Sequence, residues 1–175
     1  PLGQSGQRLQ PPAPTLIDRL WQSALSLRGA EYVAQQGVGL MLARAAWGHA
    51  EPTDLVQQPV AEAYRASWHS QATGQATAPR IGLSRGVYPA TDRAAALAEL
   101  RTGVLQSAEL MVKQGNLPPG LDLEGYCQRM HIAYGHPEEI TATLAADRIL
   151  PYTTDLILQF NPVKPPLAQS IQMLE

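Results

Sequence analysis

Short apolar runs alternate with longer stretches of helical spacing, and each run leads into a turn rich in Gly, Ser or Pro. A strand that passes through a tight turn into a helix, and then into another strand, is the βα unit, and a series of such units builds a parallel sheet. Four units are counted. Strands are expected at 19–23, 38–43, 81–88 and 155–160. The first is followed by a turn at 24–27 and a helix over 28–36 that stops at Gly37, a residue suited to the position after a helix end. The second is followed by a polar and aromatic loop, 44–53, and a helix over 54–68 with Val56, Val60, Ala63, Tyr64 and Trp68 near one face.

After the small, polar connection 70–79 and the third strand, Thr91 is expected to cap a long helix over 92–114. Its stripe runs through Ala94, Leu97, Leu100, Val104, Leu105, Ala108 and Met111. The run Gly115-Asn116-Leu117-Pro118-Pro119-Gly120 ends it. A short amphipathic piece, 121–134, precedes a helix start at Gly135-His136-Pro137-Glu138-Glu139. Proline in the first turn and two carboxylates at the positive helix end suit that start. The fourth strand is followed by a proline-rich turn, 161–166, and a last helix to Glu175. Residues 1–14, with four prolines and no apolar period, are expected to be an extended arm, leaving 15–175 as the folded unit.

Four parallel units in an open sheet leave one apolar face without cover. An eight-fold (β/α) barrel takes about 250 residues, and 175 residues with four strands amount to about half of one. The fold expected is therefore α/β: four parallel βα units forming the second half of a (β/α)8 barrel. The chain opens on Pro1 and stops in a helical pattern, which adds the expectation of a processed product or fragment.

Composition narrows the function classes. Thirteen Lys+Arg against 15 Asp+Glu give a formal charge of −2, with no run of like charge. Neither a nucleic acid backbone nor an anionic membrane surface is served by that distribution. The longest apolar stretch, 38–43, is far short of the roughly 20 residues of a spanning helix, and no charged-then-apolar leader opens the chain. One cysteine, Cys127, excludes an internal disulfide and agrees with a reducing compartment. The expectation is a soluble, cytoplasmic protein without a metal site.

Ligands of α/β folds collect at the carboxyl ends of the strands. The turn after the first strand holds Ser23, Ser26, Arg28 and Gly29. Free backbone N–H groups, the positive helix end, two hydroxyls and a guanidinium suit a phosphate there; the competing reading is that Ser26 is only a helix cap. Arg85 alternates with Ile81, Leu83 and Val87, so a charge falls on an apolar face and needs an anionic partner, either a ligand or a buried carboxylate. His49 is a general base or a solvated loop residue, and His131 and His136 read as helix caps. Cys127, without an activating neighbour, reads as a small buried hydrophobe. No metal-ligand spacing, Walker loop, nucleophile elbow or dinucleotide fingerprint occurs. These residues alone lead to a phosphate-binding half-domain.

Four segments in order resemble the luciferase-like, flavin-dependent monooxygenases, the family of bacterial luciferase and the alkanesulfonate monooxygenases. Leu20-Trp21-Gln22-Ser23-Ala24-Leu25-Ser26-Leu27-Arg28-Gly29-Ala30 is similar to the family's strand-five segment, with Leu27 where Pro is usual. Tyr64-Arg65-Ala66-Ser67-Trp68 resembles its Tyr-Arg-x-x-Trp helix, and Ser84 to Asp92 its strand-seven segment. Tyr134-Gly135-His136-Pro137-Glu138-Glu139-Ile140 resembles the Gly-x-Pro-Glu motif before the last strand. The resemblance implies strands five to eight of a (β/α)8 barrel that uses reduced FMN and O2 on a small organic substrate, with flavin supplied by a separate NAD(P)H flavin reductase. A deazaflavin serves related barrels. It implies flavin-phosphate contacts at Ser23, Ser26, Arg28 and Gly29, and a pocket-lining Arg85. The family's catalytic residues lie mainly in the half this chain lacks, so the chain alone is expected to be inactive, its partner a missing N-terminal half-barrel. Two other readings compete: a non-catalytic half-barrel that dimerises through its sheet face, and a sugar-phosphate or nucleotide binder using the same helix end.

Overall fold

The computed structural model describes residues 16–68, 78–160 and 167–172; the expected arm, the connection 70–77 and the turn 161–166 lie outside them. Five parallel strands form one sheet: β1 (Trp21–Ser23), β2 (Gly39–Leu42), β3 (Ile81–Pro89), β4 (Ile132–Gly135) and β5 (Asp155–Gln159). The four strands read from the sequence lie side by side in chain order, β1-β2-β3-β5, as successive βα units should. The additional strand is β4. Gly82 pairs with Met41 and Asp155, and Gly86 with Ile132 and Gln159, so β5 takes one edge of β3 while β2 and β4 lie end to end along the other.

The helices are α1 (Leu27–Gln35), α2 (Thr53–Ser67), α3 (Arg93–Lys113), α4 (Leu123–Arg129), α5 (Pro137–Ala145) and α6 (Leu167–Gln172). No described helix is long and apolar enough to cross a membrane. The piece expected over 121–134 divides into α4 and β4, since its apolar residues serve a helix up to Cys127 and a strand from Ile132. Asp92, not Thr91, caps α3: its carboxylate accepts the Ala95 N–H at 2.8 Å. The stripe of α3 is narrower than expected. Ala96, Leu100, Val104 and Ala108 are buried one turn apart, whereas Ala94 and Leu105 are exposed.

Alternation along each strand sorts the core. Leu40, Leu42, Ile81 and Leu83 face α1 and α2 and pack with Ala30, Val33, Val60 and Tyr64. The Tyr64 hydroxyl donates to the Val38 carbonyl at 3.0 Å and accepts the Arg80 N–H at 3.2 Å, tying α2 to the entries of β2 and β3. Its ring lies 5.6 Å from that of Trp68, which gives the Tyr-Arg-x-x-Trp pattern a packing role. On the opposite face α3 and α4 cover Tyr88, Ile132 and Tyr134. Towards β1 that same face holds Trp21, Met41 and Ile157, which belong to none of the described core clusters. Trp21 lies flat on β2, so a Cβ at Gly39 would run into its ring.

The Gly135 to Glu139 motif is a structural device. His136 caps α5, the Glu139 carboxylate accepts the His136 N–H at 2.8 Å, and Pro137 opens the helix. Gly135 has φ 119°, and a Cβ there would occupy the place of the Glu139 carboxylate. Gly135→Ala is therefore expected to destabilise the protein by more than about 1 kcal/mol, read as a lower urea midpoint with unchanged slope. An unchanged midpoint would show that the capping carboxylate has another place to go.

Candidate functional site

Two groups of polar side chains stand at the carboxyl ends of the strands. The first follows β1. Ser23 closes the strand, Ser26 is the N-cap of α1 with φ −137° and ψ 157°, and Arg28 and Gly29 lie in the first turn. Ser26 Oγ accepts the Gly29 N–H at 3.2 Å, so the cap reading describes its bond. A Cβ at Gly29 would meet Ser26 Oγ at 3.1 Å and Ala24 Cβ at 3.2 Å, so glycine keeps this turn closed. Ser23, Ser26 and Arg28 are exposed, and the first turn carries no acidic side chain. The N–H groups of Leu27 and Arg28 have no partner within the helix. An anion could be held here by those amides, the two hydroxyls and the Arg28 guanidinium.

The second group lies beyond β2. A cavity of about 390 Å³ is enclosed by the loop after β2, the turn after α3 and the end of α4, with His49, Glu51, Thr53, Asn116, Gln128 and His131 on its wall. A second cavity, of about 580 Å³, continues past Gln128 and His131 to Arg93, Glu124 and Tyr134. Arg129 holds the first cavity's rim by donating to the carbonyls of His49 and Ala50. His49 itself is exposed, as a loop histidine should be. Cys127, on the buried side of α4, is fully enclosed, and burial pushes its thiol up to about 11, so it is no nucleophile.

Arg85 corrects one expectation. Its side chain has no exposed surface and lies on the helix-covered face, so it is not placed to line a cofactor or substrate pocket. Of its two possible partners, the structure supplies the buried carboxylate. Arg85 Nε donates to Asp147 Oδ2 at 2.6 Å, Nη2 to Gln57 Oε1 at 3.1 Å and Nη1 to the Ser84 carbonyl at 2.9 Å. Sequence reading missed Asp147, which stands 62 positions away. It also missed the role of His131, whose Nε2 lies 3.2 Å from the same carboxylate oxygen, and which follows the end of α4 and caps no helix start. His131 has φ 53°, the only described non-glycine residue with positive φ. Met130, an ordinary right-handed residue, closes α4, and the left-handed turn at 131 aims the ring at Asp147.

Burial alone would raise the Asp147 carboxyl. Hydrogen bonds from His131 and Arg85, the Arg85 charge and the Ile149 N–H outweigh it, and hold the group well below the usual carboxylate range. A depressed native pKa contributes stability above the unfolded value near 4, which is lost as pH falls from there towards the folded value. Asp147→Asn leaves the Arg85 guanidinium enclosed without its counter-charge, and should cost about 3–5 kcal/mol while flattening the fall in stability below about pH 4. Urea titrations of both proteins at neutral and acid pH measure this; equal slopes against pH would remove Asp147 as the source. Leu27 is the first residue of α1, and the extended backbone of Ser26 suits a following proline. Leu27→Pro is expected to keep or raise the melting temperature, the gain being about 0.5 kcal/mol, and a loss would place the helix start elsewhere.

No family model matches this chain, and no curated protein matches it. Solved structures do. The crystal structure of apo-MsnO8 superposes with a TM-score of 0.57 at 17% identity, over 88% of this chain and 48% of that one. The chain thus spans about half the length of the solved structure it matches. At this identity the likeness establishes the fold, a parallel α/β sheet with helices.

Proposed function

We propose that the chain is the flavin-phosphate half of a luciferase-like, FMN-dependent monooxygenase, its four consecutive strands β1, β2, β3 and β5 forming strands five to eight of a (β/α)8 barrel. One observation supports the reading: a parallel sheet, four of its strands in chain order, that aligns with about half of MsnO8, a luciferase-like monooxygenase, and that the described residues leave partly uncovered. Purely parallel sheets are covered on both faces. Here Leu156 and Ile157, neighbours on opposite faces of β5, are 40% and 42% exposed, and Trp21 and Met41 lie on the same face as Ile157. Fully burying one such side chain contributes about 1.5–3 kcal/mol, so a covering partner has much to gain.

The residues after β1 fit the phosphate of FMN. The amides of Leu27 and Arg28 and the hydroxyls of Ser23 and Ser26 would hold its oxygens, with Arg28 as counter-charge. The departure from the family pattern at Leu27 falls on the first helical position, which accepts proline, and leucine there adds an N–H donor that proline lacks. Reduced FMN, when bound, supplies the electrons for oxygen activation; a deazaflavin would use the same phosphate contacts. The chain's own residues bind and orient the cofactor from one side. The organic substrate and the catalytic groups are expected from walls that the missing half builds.

FMN titrated into the protein expressed from its complete reading frame should quench flavin fluorescence at saturation, with a mass about twice 18.9 kDa. In that protein Ser26→Asp should abolish flavin binding, since a carboxylate would stand against the phosphate, while Ser26→Asp keeps the cap and the fold. Unchanged affinity would remove the site assignment. A symmetric dimer of this chain without flavin would instead favour the half-barrel module that closes its sheet on a second copy.

A further inference from the structure

His131 follows the last turn of α4 in the left-handed conformation that commonly ends a helix, its N–H donating to the Gln128 carbonyl at 3.0 Å. What depends on it is the direction of the ring. Asp147 is held as a carboxylate by Arg85 and can only accept, so the nitrogen that faces it, Nε2, must carry the ring proton. In the neutral ring Nδ1 is then the bare nitrogen, and that ring, 26% exposed, stands on the wall the two cavities share. A buried acid that orients a histidine, whose other nitrogen faces an accessible space, is how proteins present a fixed proton acceptor.

The surrounding chemistry limits what the acceptor meets. The two arginines on the cavity walls are engaged: Arg129 on the carbonyls of His49 and Ala50, Arg93 on the Glu124 carboxylate at 2.9 Å. An anion would have to compete with those partners for either guanidinium. Acceptors remain, in His131 Nδ1 and the exposed Glu51 carboxylate, with the amide of Gln128 between the two spaces. We propose that these cavities form one groove for a neutral polyhydroxy ligand, with a ligand hydroxyl donating to His131 Nδ1. The site lies apart from the turn after β1, and the inference does not rest on the flavin reading.

The test uses the 15N-histidine-labelled protein and xylitol as probe, without flavin. Xylitol should move the His131 Nδ1 resonance to saturation, with Nε2 protonated throughout. His131→Gly relieves the positive φ but gives up the bond to Asp147, so it should remain folded with a modestly lower melting temperature while binding xylitol about tenfold more weakly or worse, the loss of one good hydrogen bond to the ligand. His131→Asn, which also tolerates this φ, replaces it if the glycine variant does not fold. Three results would overturn the proposal: no response to xylitol, undiminished binding in the folded variant, or loss of the fold in both variants, which would make His131 structural. A response to ethanolamine but not to xylitol would overturn the hydroxyl class and point to an amine.

Discussion

A guanidinium with no exposed surface can remain in a core only when its nitrogens are answered, and each nitrogen of Arg85 has a partner, drawn from several parts of the chain. Asp147, after α5, supplies the counter-charge; Gln57 of α2 supplies an amide oxygen, and β3 itself a carbonyl. Gln57 in turn donates to the Ala43 carbonyl at 2.6 Å, where the chain leaves β2. The central strand, the helix after β2 and the segment leading to β5 are thereby held in one register. A hydrophobic contact could slip by a residue at modest cost, but an unanswered buried charge could not. Replacing the network by well-packed apolar residues could leave the protein as stable, so its contribution is best understood as registration and as the support of His131.

The same network separates the two faces of the sheet. Positions of β3 that face α2 carry Ile81, Leu83 and Arg85, while those on the other face carry Gly82, Ser84 and Gly86, and the small residues leave room for Trp21 and Met41 from neighbouring strands. Ser84 Oγ also takes a hydrogen bond from Gln159 at 2.9 Å across to β5. One face is thus closed by helices except at β5, where Leu156 is exposed. Among the described residues the other is closed only where α3 and α4 reach it, and its remainder is of the kind that a parallel sheet keeps dry.

The alternation of apolar runs and turns was enough to locate four strands, their parallel order and most helix positions, because these depend on periodicity within about ten residues. The cap at Ser26, the start at Pro137 and the buried state of Cys127 were legible for the same local reason. β4 was not: four residues after a short helix carry no period of their own, and Ile132 to Gly135 become a strand by pairing with Gly86 to Pro89. The stripe of α3 was read too wide, since periodicity cannot tell which side of an apolar helix finds a neighbour. His131 was legible as a titratable residue but not as an oriented one, because its orientation comes from a carboxylate 16 positions away and a turn that only coordinates reveal.

By itself the sequence determined that this chain forms βα units, that a serine-capped turn follows the first strand, and that Arg85 needs an anion, since spacing, capping and the cost of a buried charge are local matters. Only the tertiary structure decided which anion it was. Bringing Asp147 to Arg85 took the pairing of β3 with β5, and that pairing converted a candidate cofactor ligand into part of the core, while the pairing of β3 with β4 carried His131 to the cavity wall. Long-range pairing of this kind depends on which surfaces are left uncovered after each element has formed, a quantity that belongs to the folded chain and to no segment of it.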